Sequence, residues 1–181
     1  MKRVILTVGP QCAGKSTFCE KVVAAFPEVV LVSRDKILMR MFGKVYLSSY
    51  SGGHFAAWDE LWREMDGHLG ELFGRTIILD AWNGPPEDRR SIGEKLRARS
   101  VTRVEAWHFV TPLQTYLDWS FTRNPVPIKN HWSEIRRELL LSDYTEIYKR
   151  FRSIRLEKEG VFDSVRTINP LEPIPEDIFS L

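Results

Sequence analysis

The chain has 181 residues, with 26 lysines and arginines against 24 aspartates and glutamates, for a formal net charge of +2. That length suits a single domain with a sizeable core, and so small a charge does not demand a polyanionic partner. No apolar run is long enough to span a bilayer, and low-complexity segments and internal repeats are absent.

The first apolar run, Arg3 to Val8, follows Lys2 and is broken at once by Gly9-Pro10. It reads as a buried strand rather than a signal peptide. Next comes Gly9-Pro10-Gln11-Cys12-Ala13-Gly14-Lys15-Ser16, which fits G-x-x-x-x-G-K-[ST] without mismatch. Residues 15–26 read as the helix that this phosphate-binding loop requires. In such a P-loop the backbone N–H groups and the helix N-terminus face one phosphate chain. Lys15 reaches the β- and γ-phosphates, and Ser16 ligates Mg²⁺. The sequence therefore predicts a nucleoside triphosphate site built from Gly9, Gln11, Cys12, Ala13, Gly14, Lys15, Ser16 and Thr17. Cys12 and Cys19 are the only cysteines, and neither has a metal-ligand spacing. Two free thiols fit a reducing, cytoplasmic setting.

Residues 29–33 form a second apolar strand, and a helix runs from Asp35 to Gly43. After a loop at 44–53, Phe55, Trp58, Trp62, Met65, Leu69 and Leu72 recur at helical spacing. Thr76-Ile77-Ile78-Leu79 is a third strand ending in Asp80, and Pro85-Pro86-Glu87 opens a helix. Strand four covers 101–110, and helices follow at 112–123, 130–141 and 143–158. Val161 to Ile168 is a last strand, and the proline-rich tail is expected to pack loosely. Apolar strands alternating with helices predict a three-layer α/β/α fold with a mostly parallel five-stranded sheet. Ligands then bind beyond the carboxyl ends of the strands. This gathers the P-loop, Arg34, Asp35, Asp80, Ala81, Trp82, Asn83, Thr111 and Pro112 at one cleft.

Phosphoryl transfer to a hydroxyl needs a metal site, an acceptor base and cations for the developing charge. Asp35 is the candidate base, with capping of its own helix as the competing role. Asp80 is the candidate Mg²⁺ residue beside Ser16, with a purely structural strand end as the alternative. Arg123, just before Asn124-Pro125-Val126-Pro127, suits a closing lid over about 120–142, with Arg136 and Arg137 as alternatives. Trp82 offers a stacking face in the cleft. The stretch Arg89 to Arg103 carries six cations against Glu94 alone. It reads as a soluble helix face or as a track for a nucleic-acid backbone. The stretch Arg136 to Lys158 is interspersed with acids and reads as a solvated helix surface.

As an ordered set, these motifs resemble the P-loop kinases of the polynucleotide 5′-kinase type. The resemblance is carried by residues 9–17, Ser33-Arg34-Asp35, Ile78 to Asn83 with Arg89 downstream, Arg123-Asn124 before Val126-Pro127, and residues 161–165 with Ile168-Asn169-Pro170. It implies an adenylate-kinase-like sheet, ATP and Mg²⁺, Asp35 as general base, Arg123 on the transferring phosphate, and Asn169 and Pro170 near adenine. Arg34, Arg40, Trp82 and Asn83 are the expected acceptor contacts. Compact kinases of this type occur in phages, where some phosphorylate modified bases in DNA. The chain departs from the pattern twice. Leu38 stands where the family usually has an arginine, leaving Arg40 nearest, and the lid omits a second arginine. The expected activity is ATP-dependent phosphorylation of a hydroxyl on a nucleic acid or nucleotide. A small-metabolite or antibiotic kinase is the alternative. A slowly hydrolysing NTP switch is disfavoured by Asp35 and by the lack of an Asn-Lys-x-Asp motif.

Overall fold

The computed structural model describes residues 2–45, 52–71, 76–81 and 84–180. Leu72, Trp82 and Asn83 lie outside the described residues. The sheet contains β1 (Arg3–Val8), β2 (Val30–Ser33), β3 (Thr76–Asp80), β4 (Arg103–Phe109) and β5 (Ser164–Ile168), in the order β2-β3-β1-β4-β5. All four pairings are parallel, so "mostly parallel" becomes wholly parallel. Every residue of β1 is buried, as a central strand covered on both faces requires.

The alternation of side chains along the strands feeds two cores. Val4, Leu6, Val32, Ile77, Leu79 and Val104 pack toward α2 (Arg34–Phe42), α3 (Gly53–Glu71) and α4 (Pro86–Ala98). Ile5, Ile78, Trp107 and Phe109 pack toward α1 (Lys15–Ala25) and the C-terminal tail. The tail is not loose. Ile178 is fully buried, Phe179 meets Phe26 edge-on at 5.1 Å, and Arg3 donates to the Phe179 carbonyl at 2.8 Å. Proline fixes the path of this segment, while its few apolar side chains decide where it docks.

Three expected elements change. The helix pair at 130–141 and 143–158 is one helix, α6 (His131–Arg152), followed by a 3₁₀ turn at Leu156–Lys158. Ser142-Asp143 resembles a cap, but no glycine or proline interrupts the hydrogen-bond ladder there, so the helix continues. The true start is Asn130, whose side chain accepts from the Ser133 backbone in a reciprocal capping box. The last strand begins at Ser164 rather than Val161. On α3 the buried face comprises Ala57, Leu61, Trp62, Met65 and Leu69, whereas Phe55 is exposed. The expected lid segment comprises the end of α5 (Leu113–Arg123), the connection to α6, and the first half of α6.

Most of the cations in the basic stretch 89–103 are tied down by acids. Arg89 is completely buried, pairs through two guanidinium nitrogens with Glu159, and donates to the Gly84 carbonyl. Arg97 reaches Asp163 at 2.7 Å, Arg99 reaches Asp66 at 2.5 Å, and Arg103 pairs with Glu105. Lys95 lies over the Trp62 ring. Four of the six cations of this stretch are thus paired with acids, and Arg90 and Lys95 have no acid partner among the described residues.

Arg89→Ala removes one partner of a buried pair and leaves the Glu159 carboxylate without its cation. The expected loss is about 3–5 kcal/mol of unfolding free energy, with Arg89→Met less damaging than alanine because it keeps the volume. Urea unfolding measures both. A loss below about 1 kcal/mol for alanine would show that Glu159 behaves as a solvated surface acid.

Candidate active site

Register sets the geometry of the cleft. Leu6 lies opposite Leu79 and Ser33 opposite Asp80, so β1, β2 and β3 end at one level. Asp80 is 6% exposed and held from two sides. Thr7 Oγ1 donates to Oδ1 at 2.9 Å, and Ser16 Oγ donates to Oδ2 at 2.7 Å. The second bond spans the strand end and the first turn of α1, so the P-loop serine and the acid of β3 form one unit.

The loop turns through two left-handed residues, Cys12 (φ 65°) and Gly14 (φ 76°). Glycine is needed at position 14 for a second reason. A Cβ there would come within 2.8 Å of the Trp119 ring and 3.1 Å of Pro170. Thr111, at the end of β4, is buried and donates to the Ala13 carbonyl at 2.8 Å. It props the loop from beneath instead of facing the cleft. Lys15 Nζ donates to the carbonyls of Gly9 at 3.0 Å and Pro10 at 2.7 Å. Burial pushes its ammonium below the ordinary value, opposed chiefly by the charge of Asp80.

A cavity of about 810 Å³ opens over this loop. Gln11 through Thr17, Arg34, Asp35, Asp80, Arg123 and Pro170 line it, so most of the expected site residues converge. Asp35 is the second residue of α2, and Ser33 occupies the cap position. Asp35 is thus not the N-cap residue. Partial withdrawal from water in the cavity raises its carboxyl above the usual range, and Asp80 adds to the rise. Arg123, Arg34 and Lys15 oppose it. Arg34 Nη2 meets His54 Nδ1 at 2.5 Å, and its guanidinium lies 5.5 Å from the Trp58 ring centre. Its Nε is buried without a partner among the described residues.

Other expectations fall elsewhere. Arg40 points to the outer face of α3, where it pairs with Glu60 at 3.3 Å and Glu64 at 3.1 Å, and it does not line the cavity. Leu38, at the departure from the family pattern, is fully buried in the core. Asn169 donates to Glu172 at 2.8 Å and is not among the lining residues. Gly9 contributes a carbonyl to Lys15 rather than a cavity wall. Trp119, Thr122 and Lys21 line the cavity without having been singled out. Trp119 sits one helical turn before Arg123, and that i, i+4 spacing is the signal that puts both on one face.

The donors fit the groups a P-loop implies. The Ser16 hydroxyl and the Asp80 carboxylate supply hard oxygen ligands. No cluster of three or more metal-ligating side chains exists among the described residues. That suits Mg²⁺, which keeps waters and substrate phosphates in its shell rather than using an all-protein cage. The loop and the cavity above it suit a triphosphate.

Residues 4–140 match the AAA domain family. The chain belongs to that family. A search of the curated proteins found no match. Among solved structures, this AAA-domain chain resembles a putative kinase from Chloroflexus aurantiacus at a TM-score of 0.64 and 14% identity, covering 93% of this chain and 85% of that one. It resembles the tunicamycin resistance protein of Deinococcus radiodurans at 0.57 and 13% identity, with coverages of 93% and 86%. It also resembles a chain of the Pnkp1/Rnl/Hen1 RNA repair complex at 0.53 and 17% identity, where it covers 83% of itself but spans only 44% of the relative. At these identities the likeness is one of fold, and the fold is that of P-loop kinases. No helix among the described residues is long and apolar enough to cross a membrane.

Asp35→Asn separates electrostatics from local structure. Because the folded carboxyl titrates above its unfolded value, the unfolded chain releases this proton first as the pH rises. Wild-type stability therefore falls across that window. The amide variant escapes this loss. It is expected to be more stable than wild type at neutral pH, with the difference shrinking in acid as the pH falls to the ordinary carboxylate range. Urea titrations at several pH values check the sign. An amide variant that is less stable at neutral pH would instead assign Asp35 a supporting role in the first turn of α2.

Proposed function

We propose that the chain is an ATP-dependent phosphotransferase that phosphorylates a hydroxyl of a nucleic acid or nucleotide. The observation that carries the kinase reading is one cavity lined by Lys15, Ser16, Asp35, Asp80 and Arg123. A P-loop alone fits a switch or a transporter equally well. A carboxylate facing the phosphate loop from the first turn of a separate helix, α2, is what an acceptor hydroxyl needs.

Asp35 accepts the hydroxyl proton as the acceptor oxygen bonds to the γ-phosphorus and the bond to the β-phosphate oxygen breaks. Its raised proton affinity suits that task, since the group must gain a proton late in the step. Lys15 exchanges the Gly9 and Pro10 carbonyls for phosphate oxygens, and these charge-assisted bonds strengthen as negative charge develops. Arg123, at the end of α5, adds a cation from the lid side. Ser16 and Asp80 would hold Mg²⁺, which would supply positive charge against the phosphates. Trp119 and Pro170 offer apolar walls beside the loop for the nucleobase, and Arg34 faces the acceptor.

A second reading, a small-metabolite or antibiotic kinase, draws support from two observations. Four of the six cations of the 89–103 stretch are neutralised by acids. The fold also matches an antibiotic-resistance protein over nearly its whole length. A cavity of about 810 Å³ lies within the usual range for small-molecule sites.

Transfer of a radiolabelled γ-phosphate, screened across oligonucleotides, DNA with modified bases, nucleosides and sugars, tests the proposal. Label is expected on a nucleic acid or nucleotide; label confined to sugars or an antibiotic would promote the second reading. With the accepted substrate, Lys15→Ala should abolish transfer. Asp35→Asn should lower kcat roughly a hundredfold or more while ATP binding persists. If folded Lys15→Ala retains near-normal transfer, the P-loop is not the donor site.

A further inference from the structure

Beyond the catalytic cavity, the connection between α5 and α6 forms a separate groove of about 330 Å³. Pro125, Val126 and Pro127 make one wall, and Lys129, Trp132 and Arg136 make the other. Trp132 is 77% exposed, far outside the usual range for a tryptophan that serves the core. Its place in α6 explains why. The Asn130–Ser133 capping box fixes the helix start, and Trp132 is the second helical residue, projecting where no other element arrives. Arg136 follows one turn later on the same side. Neither Lys129 nor Arg136 has an acidic partner among the described residues, in contrast to Arg89 and Arg97 of α4. No carboxylate lines the groove. Nearby Glu134 is engaged by His131 at 3.7 Å. Arg123 lines the catalytic cavity and Pro125 lines the groove, so a single residue, Asn124, separates the two sites along the chain.

We infer that this groove is a single-stranded nucleic-acid contact, in which Trp132 stacks on a base while Lys129 and Arg136 hold the flanking phosphates. An exposed aromatic face bracketed by unneutralised cations is the minimum such a contact needs. Its position on the lid would hold the strand beyond the nucleotide in the cleft, a use that rests on the nucleic-acid reading of the acceptor. The rigid proline wall keeps the groove open, so little ordering is required when a base enters.

The test is binding of a fluorescein-labelled single-stranded oligonucleotide to the full chain, read by anisotropy over a salt series. Transfer to a mononucleoside is measured in parallel. Trp132→Ala should weaken oligonucleotide binding roughly tenfold or more. Lys129→Ala with Arg136→Ala should flatten the log–log salt dependence by roughly 1.4, about 0.7 per cation. Transfer to the mononucleoside, where accepted, should not change in Trp132→Ala, because this side chain lines the groove and not the catalytic cavity. Since Trp132 is exposed, its variant should melt as wild type does. Unchanged oligonucleotide affinity in Trp132→Ala would overturn the inference, even if oligonucleotides are phosphorylated. So would a wild type that binds no oligonucleotide, or a variant whose only change is a loss of self-association, which would make the groove a contact between copies. Trp132-dependent binding by a chain that phosphorylates only sugars or antibiotics would leave the groove standing and remove the nucleic-acid acceptor.

Discussion

The Asp80 carboxylate is the point on which the site depends. Its two oxygens are claimed by Thr7 from β1 and Ser16 from the first turn of α1. The sheet register makes the first contact possible, because β1 and β3 run parallel with Leu6 opposite Leu79. The second locks the start of α1 over the end of β3. A slip of one residue in β3 would turn Asp80 to the opposite face and leave the serine hydroxyl without an acceptor. The phosphate loop is thus positioned by a buried polar pair rather than by its own glycines. Thr111 then fixes its far side through the Ala13 carbonyl.

That arrangement concentrates charge in a confined space. Withdrawal from water and the charge of Asp80 raise the resistance of Asp35 to ionisation, while Arg123, Arg34 and Lys15 act the other way. Each group is partly withdrawn from water, so its charge is felt by the others more strongly than it would be in bulk solvent. Two acids against four cations, Lys15, Lys21, Arg34 and Arg123, along the cavity wall suit a site that receives a highly anionic ligand. Lys15 meanwhile satisfies itself on loop carbonyls, which it can give up without leaving a buried acid unpaired.

Much of this was legible in the residues. The P-loop, the strand ends and the alternation of elements predict the parallel sheet and the convergence of Lys15, Ser16, Asp35 and Asp80, because motif spacing and sheet topology are local or nearly local properties. What escaped depended on contacts between distant segments. The tail looked loose because proline is common in both ordered and disordered ends, and only the meeting of Phe179 with Phe26 and Trp107 shows its anchorage. The cations of α4 looked unneutralised because Glu159, Asp163 and Asp66 lie far from them in sequence. Apart from its spacing to Arg123, nothing in the local sequence marks Trp119, and the approach of its ring to Gly14 is what gives it a place at the site.

The same long-range pairings bear on how an acceptor is chosen. The family position at Leu38 is a core position in this chain, fully buried, so a cation cannot be recruited there without cost to packing. Arg40 is spent on Glu60 and Glu64 across the α2–α3 contact. Arg34 is then the cation left on the acceptor side of the cavity, braced by His54 and Trp58 with its Nε unpartnered. A guanidinium in that state favours an anion or a carbonyl presented close to Asp35, since either would complete its hydrogen bonding. Under the proposed kinase function, recognition of an acceptor inside the cleft would rest chiefly on that braced arginine. Contacts with a longer acceptor would then have to come from outside the cleft, and the connection from α5 to α6 begins directly after Arg123 at the cavity wall.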